Sequence, residues 1–279
     1  MKANNSSPSD CHFRAETKLH MAFRLNNQGA HRIEKFQCQS AIRCLRESLG
    51  LAKEVMGDYV NKHPRDSCDR NSRCSLPCSP LFEDCMTLPS KKNVKQAHRE
   101  KKPGFRDKYE NNLVDLDEET EFIYDHPIYV SKTSFHAESE TKVGKTSLTI
   151  REQSVVLASM VLFNLALAYH MFALRNSKEL QGEYASVLFK SAKLYDLAYT
   201  VLTQECIDCG ALFMMSTANN LAQVYKAIGD HGKAKKFSQH LLSTLVYLTE
   251  YGFYDLGAIE CFLRSTSHLI LQERVAAAA

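Results

Sequence analysis

An all-α chain of stacked helical hairpins is what this sequence predicts, and three observations predict it. A short pattern of small residues recurs three times. Asn27-Gln28-Gly29 is followed, twelve residues after the glycine, by Ala41. Asn164-Leu165-Ala166 leads to Tyr169 and later to Ala192, and Asn220-Leu221-Ala222 leads to Tyr225, Gly229 and Ala234. Around these motifs apolar residues return with helical spacing. Finally, the pattern is split by one long polar stretch of alternating charge blocks, which isolates the periodic segments from the rest. Units of this kind cannot bury an apolar face alone, so they stack.

The elements follow in chain order. Residues 1–18, rich in Asn, Ser and charge, read as a disordered tail. Residues 19–56 form the first hairpin: Ala22, Leu25, Gly29 and Ile33 make one stripe, and Ala41, Cys44, Leu45, Ser48 and Leu51 to Val55 the other. Lys35 to Gln39 supply its turn. Residues 57–148 read as a flexible insertion. Cysteine, proline and serine fill its start, a basic run from Lys91 to Lys108 follows, and an acidic run from Glu110 to Asp125 comes next. One island interrupts it, Phe122-Ile123-Tyr124-Asp125-His126-Pro127-Ile128-Tyr129-Val130. Its aromatic and β-branched content favours an extended chain, and Pro127 turns His126 away from helix. Docking of the island against the helical array is favoured over an external recognition role.

Helices resume over 151–175 and 184–204, with Gln181-Gly182 in the loop between them. Ala211–Ile228 and Lys233–Leu248 form the next hairpin around Gly229-Asp230-His231-Gly232, so that 149–254 hold a second and a third hairpin. Asp255 is placed to cap a final helix, within 255–275, whose Leu256, Ile259, Leu263, Leu269 and Ile270 would cover the open end of the stack.

Composition narrows the class. The 279 residues are 44% hydrophobic and 24% charged, as in soluble globular chains, and a net charge of +3 is too weak to argue for nucleic acid. The first ten residues hold no apolar core of signal-peptide length, which points to a cytoplasmic or nuclear location. Ten scattered cysteines suggest no disulfide framework. Ser154–Leu174 is apolar and long enough to cross a bilayer. Asn164 near its centre, and the lack of a basic cluster at either end, favour a helix buried between neighbours over a membrane span.

The three motifs resemble the tetratricopeptide repeat (TPR), a helical hairpin repeated about every 34 residues. The third copy matches best, with Asn220-Leu221-Ala222, Tyr225, Gly229-Asp230 and Ala234 in register. The first has Arg32 where a tyrosine is expected, and the second carries about fourteen extra residues before Ala192. The resemblance implies a short solenoid with a concave groove lined by the first helix of each hairpin. Carried over, that groove presents Asn26, Asn27, Phe163, Asn164, His170, Asn219, Asn220, Gln223 and Lys226. Such a surface is rich in amides, which both donate and accept and so suit the backbone of an extended peptide. For Asn27, Asn164 and Asn220, bracing of a neighbouring hairpin is an equal alternative. The chain departs from the lysine and arginine pattern of repeats that grip chaperone tails, with Asn26, Ala30, Ser216 and Asn220 at the positions concerned.

Other chemistry is set aside. Cys68, Cys74, Cys78 and Cys85 cluster, but only Cys74 and Cys78 stand at knuckle spacing, so no metal site is assigned. Cys206-x-x-Cys209 lacks the surroundings of a redox motif. Gly144-Lys145-Thr146-Ser147 lacks the first glycine of a phosphate loop. No histidine stands with a nucleophile and an acid, so no catalytic residue and no cofactor is assigned. The expectation is a scaffold that binds a protein or peptide partner without catalysis. The alternatives are a self-associating repeat protein and a helical platform whose insertion binds metal or nucleic acid.

Overall fold

The computed structural model describes residues 8–62, 122–130, 149–204, 210–250 and 259–267. Among them the regular structure is helical and no strand occurs. Contacts within the chain divide it into two units, Met1–Met86 with Asp125–Phe213, and Thr87–Tyr124 with Met214–Ala279.

The first unit opens with helices α1 (Pro8–Glu34) and α2 (Cys38–Lys62), packed along each other as a hairpin. Small residues set their approach. Ser48 Oγ donates to Ala22 O at 2.7 Å across the pair. Gly29 lies so close to the buried Leu45 that a Cβ there would fall 2.5 Å from Leu45 Cγ. The turn is a Schellman-type stop: Phe36 N–H donates to Ile33 O, Gln37 N–H donates to Arg32 O, and Phe36 is left-handed at φ 57. A bulky residue in that conformation costs about 1–2 kcal/mol. Its ring is covered by the Arg175 guanidinium, 3.6 Å from the centroid.

Two boundaries differ from the sequence expectation. Residues 8–18, read as tail, are the first turns of α1, and α2 runs on to Lys62, past Met56. Lys18 Nζ lies 3.1 Å from Glu54 and 3.2 Å from Asp58, an exposed link between the added turn of α1 and, through Asp58, the added turn of α2. Residues 57–62, expected to open the insertion, are helical. Within it the structure describes 122–130, which is extended without regular pairing. The cysteine cluster, the basic run, the pair Cys206 and Cys209, Gly144–Ser147 and Asp255 lie outside the described residues.

Helix α3 (Ile150–Arg175) starts on a capping box: Glu152 N–H donates to Thr149 Oγ1, and Thr149 N–H donates to the Glu152 carboxylate. It packs against α1, α2 and α4 (Tyr184–Gln204), and Ser154–Ala168 are buried without a break. Its apolar surface is thus consumed by neighbouring helices. Ser191 Oγ donates to Ala166 O at 2.8 Å, again a hydroxyl meeting the backbone beside a motif alanine. A one-turn helix (Ser177–Leu180) and a 3₁₀ turn (Gln181–Glu183) join α3 to α4.

The second unit contains α5 (Ala211–Ala227, from Met214 onward), α6 (His231–Glu250) and residues 259–267, which are helical and labelled α7. The α5–α6 turn repeats the α1–α2 design. Gly229 N–H donates to Lys226 O, Asp230 N–H to Tyr225 O, and Gly229 holds φ 81. The Tyr225 ring stacks on Phe237 at 5.7 Å and 5°, which sets α5 against α6. Asp230 then caps α6 through Lys233 N–H, and that bond holds its carboxyl below the usual range.

Candidate functional site

The motif asparagines sit in mid-helix, where the amide is a poor helix former and competes for hydrogen bonds. Such a residue is stable there only if its side chain is satisfied elsewhere. In the first unit it is satisfied by the extended segment. Asn164 is fully buried; its Oδ1 accepts from Ile128 N–H at 2.7 Å and its Nδ2 donates to Ile128 O at 2.8 Å. Asn27 makes the same pair with Val130, accepting its N–H and donating to its carbonyl, both at 2.8 Å. Asn26 adds a third donor, Nδ2 to Ile128 O at 3.0 Å, and its Oδ1 accepts from Asn164 Nδ2 at 3.0 Å. Asn164 therefore braces the neighbouring helix and holds the segment at once. Outside this ladder the Tyr129 hydroxyl donates to the Glu34 carboxylate at 2.7 Å; burial, with that carboxylate, pushes the phenol up.

In the second unit the same device appears on α5. Asn220 Oδ1 accepts from Tyr124 N–H at 2.9 Å and Asn220 Nδ2 donates to Tyr124 O at 3.0 Å. Asn219 Nδ2 donates to Phe122 O at 2.9 Å, and its Oδ1 accepts from Ser265 Oγ of α7. Phe262 of α7 closes the site, with its ring edge-on to Phe122 at 5.3 Å and stacked on Tyr124 at 6.1 Å.

Within each unit the gripped residues stand two apart, Ile128 and Val130 in the first and Phe122 and Tyr124 in the second, as a period of two requires for groups on one side of an extended chain. Tyr124 and Ile128 have no exposed surface and Val130 is 5% exposed, whereas Asp125 is exposed. Pro127, buried in the first unit, brings no N–H that would need a partner.

Not every expected groove residue joins this arrangement. Phe163 is a core ring, edge-on to Tyr195 at 5.4 Å and tilted against Phe213 at 5.6 Å. His170 is likewise in the core, edge-on to Tyr195 at 6.3 Å, and burial drives its imidazole down to about 4. Helical spacing alone could not separate these ring contacts from a groove face, because α3 has no distinct polar stripe. Gln223 is half-buried, its Oε1 enclosed without a hydrogen-bond partner, and Lys226 is exposed. Docking of the 122–130 island on the helices was anticipated; its backbone pairing with the motif asparagines was not. Its signal was present: three asparagines at one motif position, and one isolated apolar stretch able to present backbone to them.

Among the described residues no cluster of three or more histidine, cysteine or acidic side chains could hold a metal ion. Comparison with known proteins finds no matching family model, no matching curated relative and no matching solved structure.

Proposed function

We propose that this chain is a TPR-like helical scaffold, a short solenoid that holds extended protein segments by their backbone and performs no chemistry. One observation carries the reading. Asn27, Asn164 and Asn220 stand at the same position of three motifs, and each exchanges a donor and an acceptor with one residue of an extended chain. Amides neither ionise nor act as nucleophiles near neutral pH, but they match a peptide unit group for group. Reading a backbone in this way fixes register and direction while leaving specificity to the pockets for alternate side chains.

Hydrogen exchange on the intact protein tests it. Backbone amides of Tyr124, Ile128 and Val130 are expected to be protected at least about 100-fold relative to an unstructured chain, since exchange requires local opening. Asn220→Ala should release Tyr124, Asn164→Ala should release Ile128, and Asn27→Ala should release Val130. Free exchange of all three amides in the wild type would remove the asparagine clamps, and the proposed function with them.

A further inference from the structure

The asparagine clamps are already filled, and what fills them is part of the same chain. We propose that residues 122–130 are an in-chain ligand that competes for these clamps with an external extended protein segment of the same chemistry. At the first unit's clamps that segment would carry aliphatic side chains where Ile128 and Val130 sit, at the second unit's clamp an aromatic one where Tyr124 sits, with free backbone N–H groups at each. The inference rests on the scaffold reading above and goes further, by naming the partner class and its competitor.

Three features separate a ligand from an ordinary piece of core. The segment has no regular structure of its own and is held through its backbone by side chains of the helices, so another chain of similar side-chain pattern can make the same bonds. In sequence it stands 59 residues (63–121) after Lys62 and 18 residues (131–148) before Thr149, so it belongs to neither neighbouring helix. Lastly, the helix that carries the second-unit clamp holds unpaired buried polar atoms. On α5, which carries Asn219 and Asn220, Ser216 Oγ, Thr217 Oγ1 and Gln223 Oε1 are enclosed without hydrogen-bond partners, and Ser216 and Thr217 have no exposed surface. Ser216 and Gln223 fall one turn before and after Asn219–Asn220, on the same helix face. An external segment whose polar side chains reached these atoms would satisfy groups that are unpaired with the in-chain segment in place. It needs that advantage, because a segment on the same chain meets its site at an effective concentration on the order of millimolar.

The experiment uses a fluorescent synthetic peptide of residues 122–130 and two full-length hosts, the wild type and a variant carrying Tyr124→Asp, Ile128→Asp and Val130→Asp. The variant, with its helicity checked by circular dichroism, should bind the peptide, and the wild type should bind it at least about 10-fold more weakly because its clamps are occupied. N-methylation of the peptide at the Ile128 and Val130 nitrogens should abolish binding. Equal binding to both hosts, or no binding to a folded variant, overturns the proposal. Should the variant lose its helicity, the wild-type fold supplies a second arm, with protease sites placed within 63–121 and 131–148 and cut after folding. Exchange of the freed segment for the labelled peptide, with helicity kept, supports the proposal; unfolding on cutting, or no exchange, overturns it. A wild-type dimer in sedimentation that dissociates on cutting would assign the occupant to a second copy and overturn the in-chain arrangement. Protected amides with no exchange would sink this inference alone, whereas unprotected amides would sink the scaffold reading as well.

Discussion

Replacing Asn164 by Ala removes a fully buried side chain that makes three hydrogen bonds. Its Oδ1 is the acceptor for Ile128 N–H, and its Nδ2 donates to both Ile128 O and Asn26 Oδ1. After truncation Ile128 O keeps the donor on Asn26, so that carbonyl is not orphaned. The buried Ile128 N–H has no substitute and costs about 1–3 kcal/mol, and the stranded Asn26 Oδ1 adds about 1 kcal/mol. Against this, Ala is the better helix former by about 0.6 kcal/mol. The net expectation is a loss of about 2–3 kcal/mol, a large fraction of a typical domain's stability. Urea unfolding should show it as a lower midpoint at unchanged slope. Asn164→Leu should not rescue it, because filling the volume leaves the same N–H unpaired. A change below about 0.5 kcal/mol, the size of an ordinary surface substitution, would refute the assignment of Asn164 as a buried clamp.

Further outcomes follow from other sites. His170 is neutral and buried with its pKa driven down to about 4, against an unfolded value of 6.5. The unfolded chain binds the extra proton between these limits, so stability should fall by about 3 kcal/mol as pH drops from 6.5 to 4, and His170→Phe should remove that part of the slope. Gly29→Ala places a methyl against Leu45, so despite the better helix propensity it should cost about 1–2 kcal/mol in chemical denaturation. Gly229→Ala meets no neighbouring atom, so its expected loss of about 1 kcal/mol in the same assay comes from the left-handed backbone alone.

Much of the helical plan was legible because it depends on local chemistry. The recurrence of Gly29 and Ala166 marked where helices approach, and the Gly229 turn announced the α5–α6 corner. The start of α3 was legible too: Thr149 and Glu152, with Ile150 and Arg151 between them, stand at capping-box spacing, a signal the helical stripe alone did not use. The N-terminal boundary was not legible. Residues 8–18 look polar and tail-like by composition, and they are helical where α2 offers Glu54 and Asp58 to Lys18. Phe36 was equally hidden, since nothing in its neighbourhood marks a phenylalanine as the left-handed residue of a turn; it occupies the register that Gly229 holds in the third motif.

The sequence by itself determined that the periodic segments are helices, that small residues set their close contacts, and that amides rather than ionisable groups recur on their motif positions. Those outcomes follow from side-chain size, spacing and hydrogen-bonding type, which any short window of chain carries. Tertiary structure alone decided which amides would be used and by what. Asn26 meets Asn164 across 138 positions of chain, and Ile128 reaches Asn164 across 36. A hydrogen bond needs both partners within about 3 Å, so an amide's partner is fixed only once distant parts of the chain have been brought together.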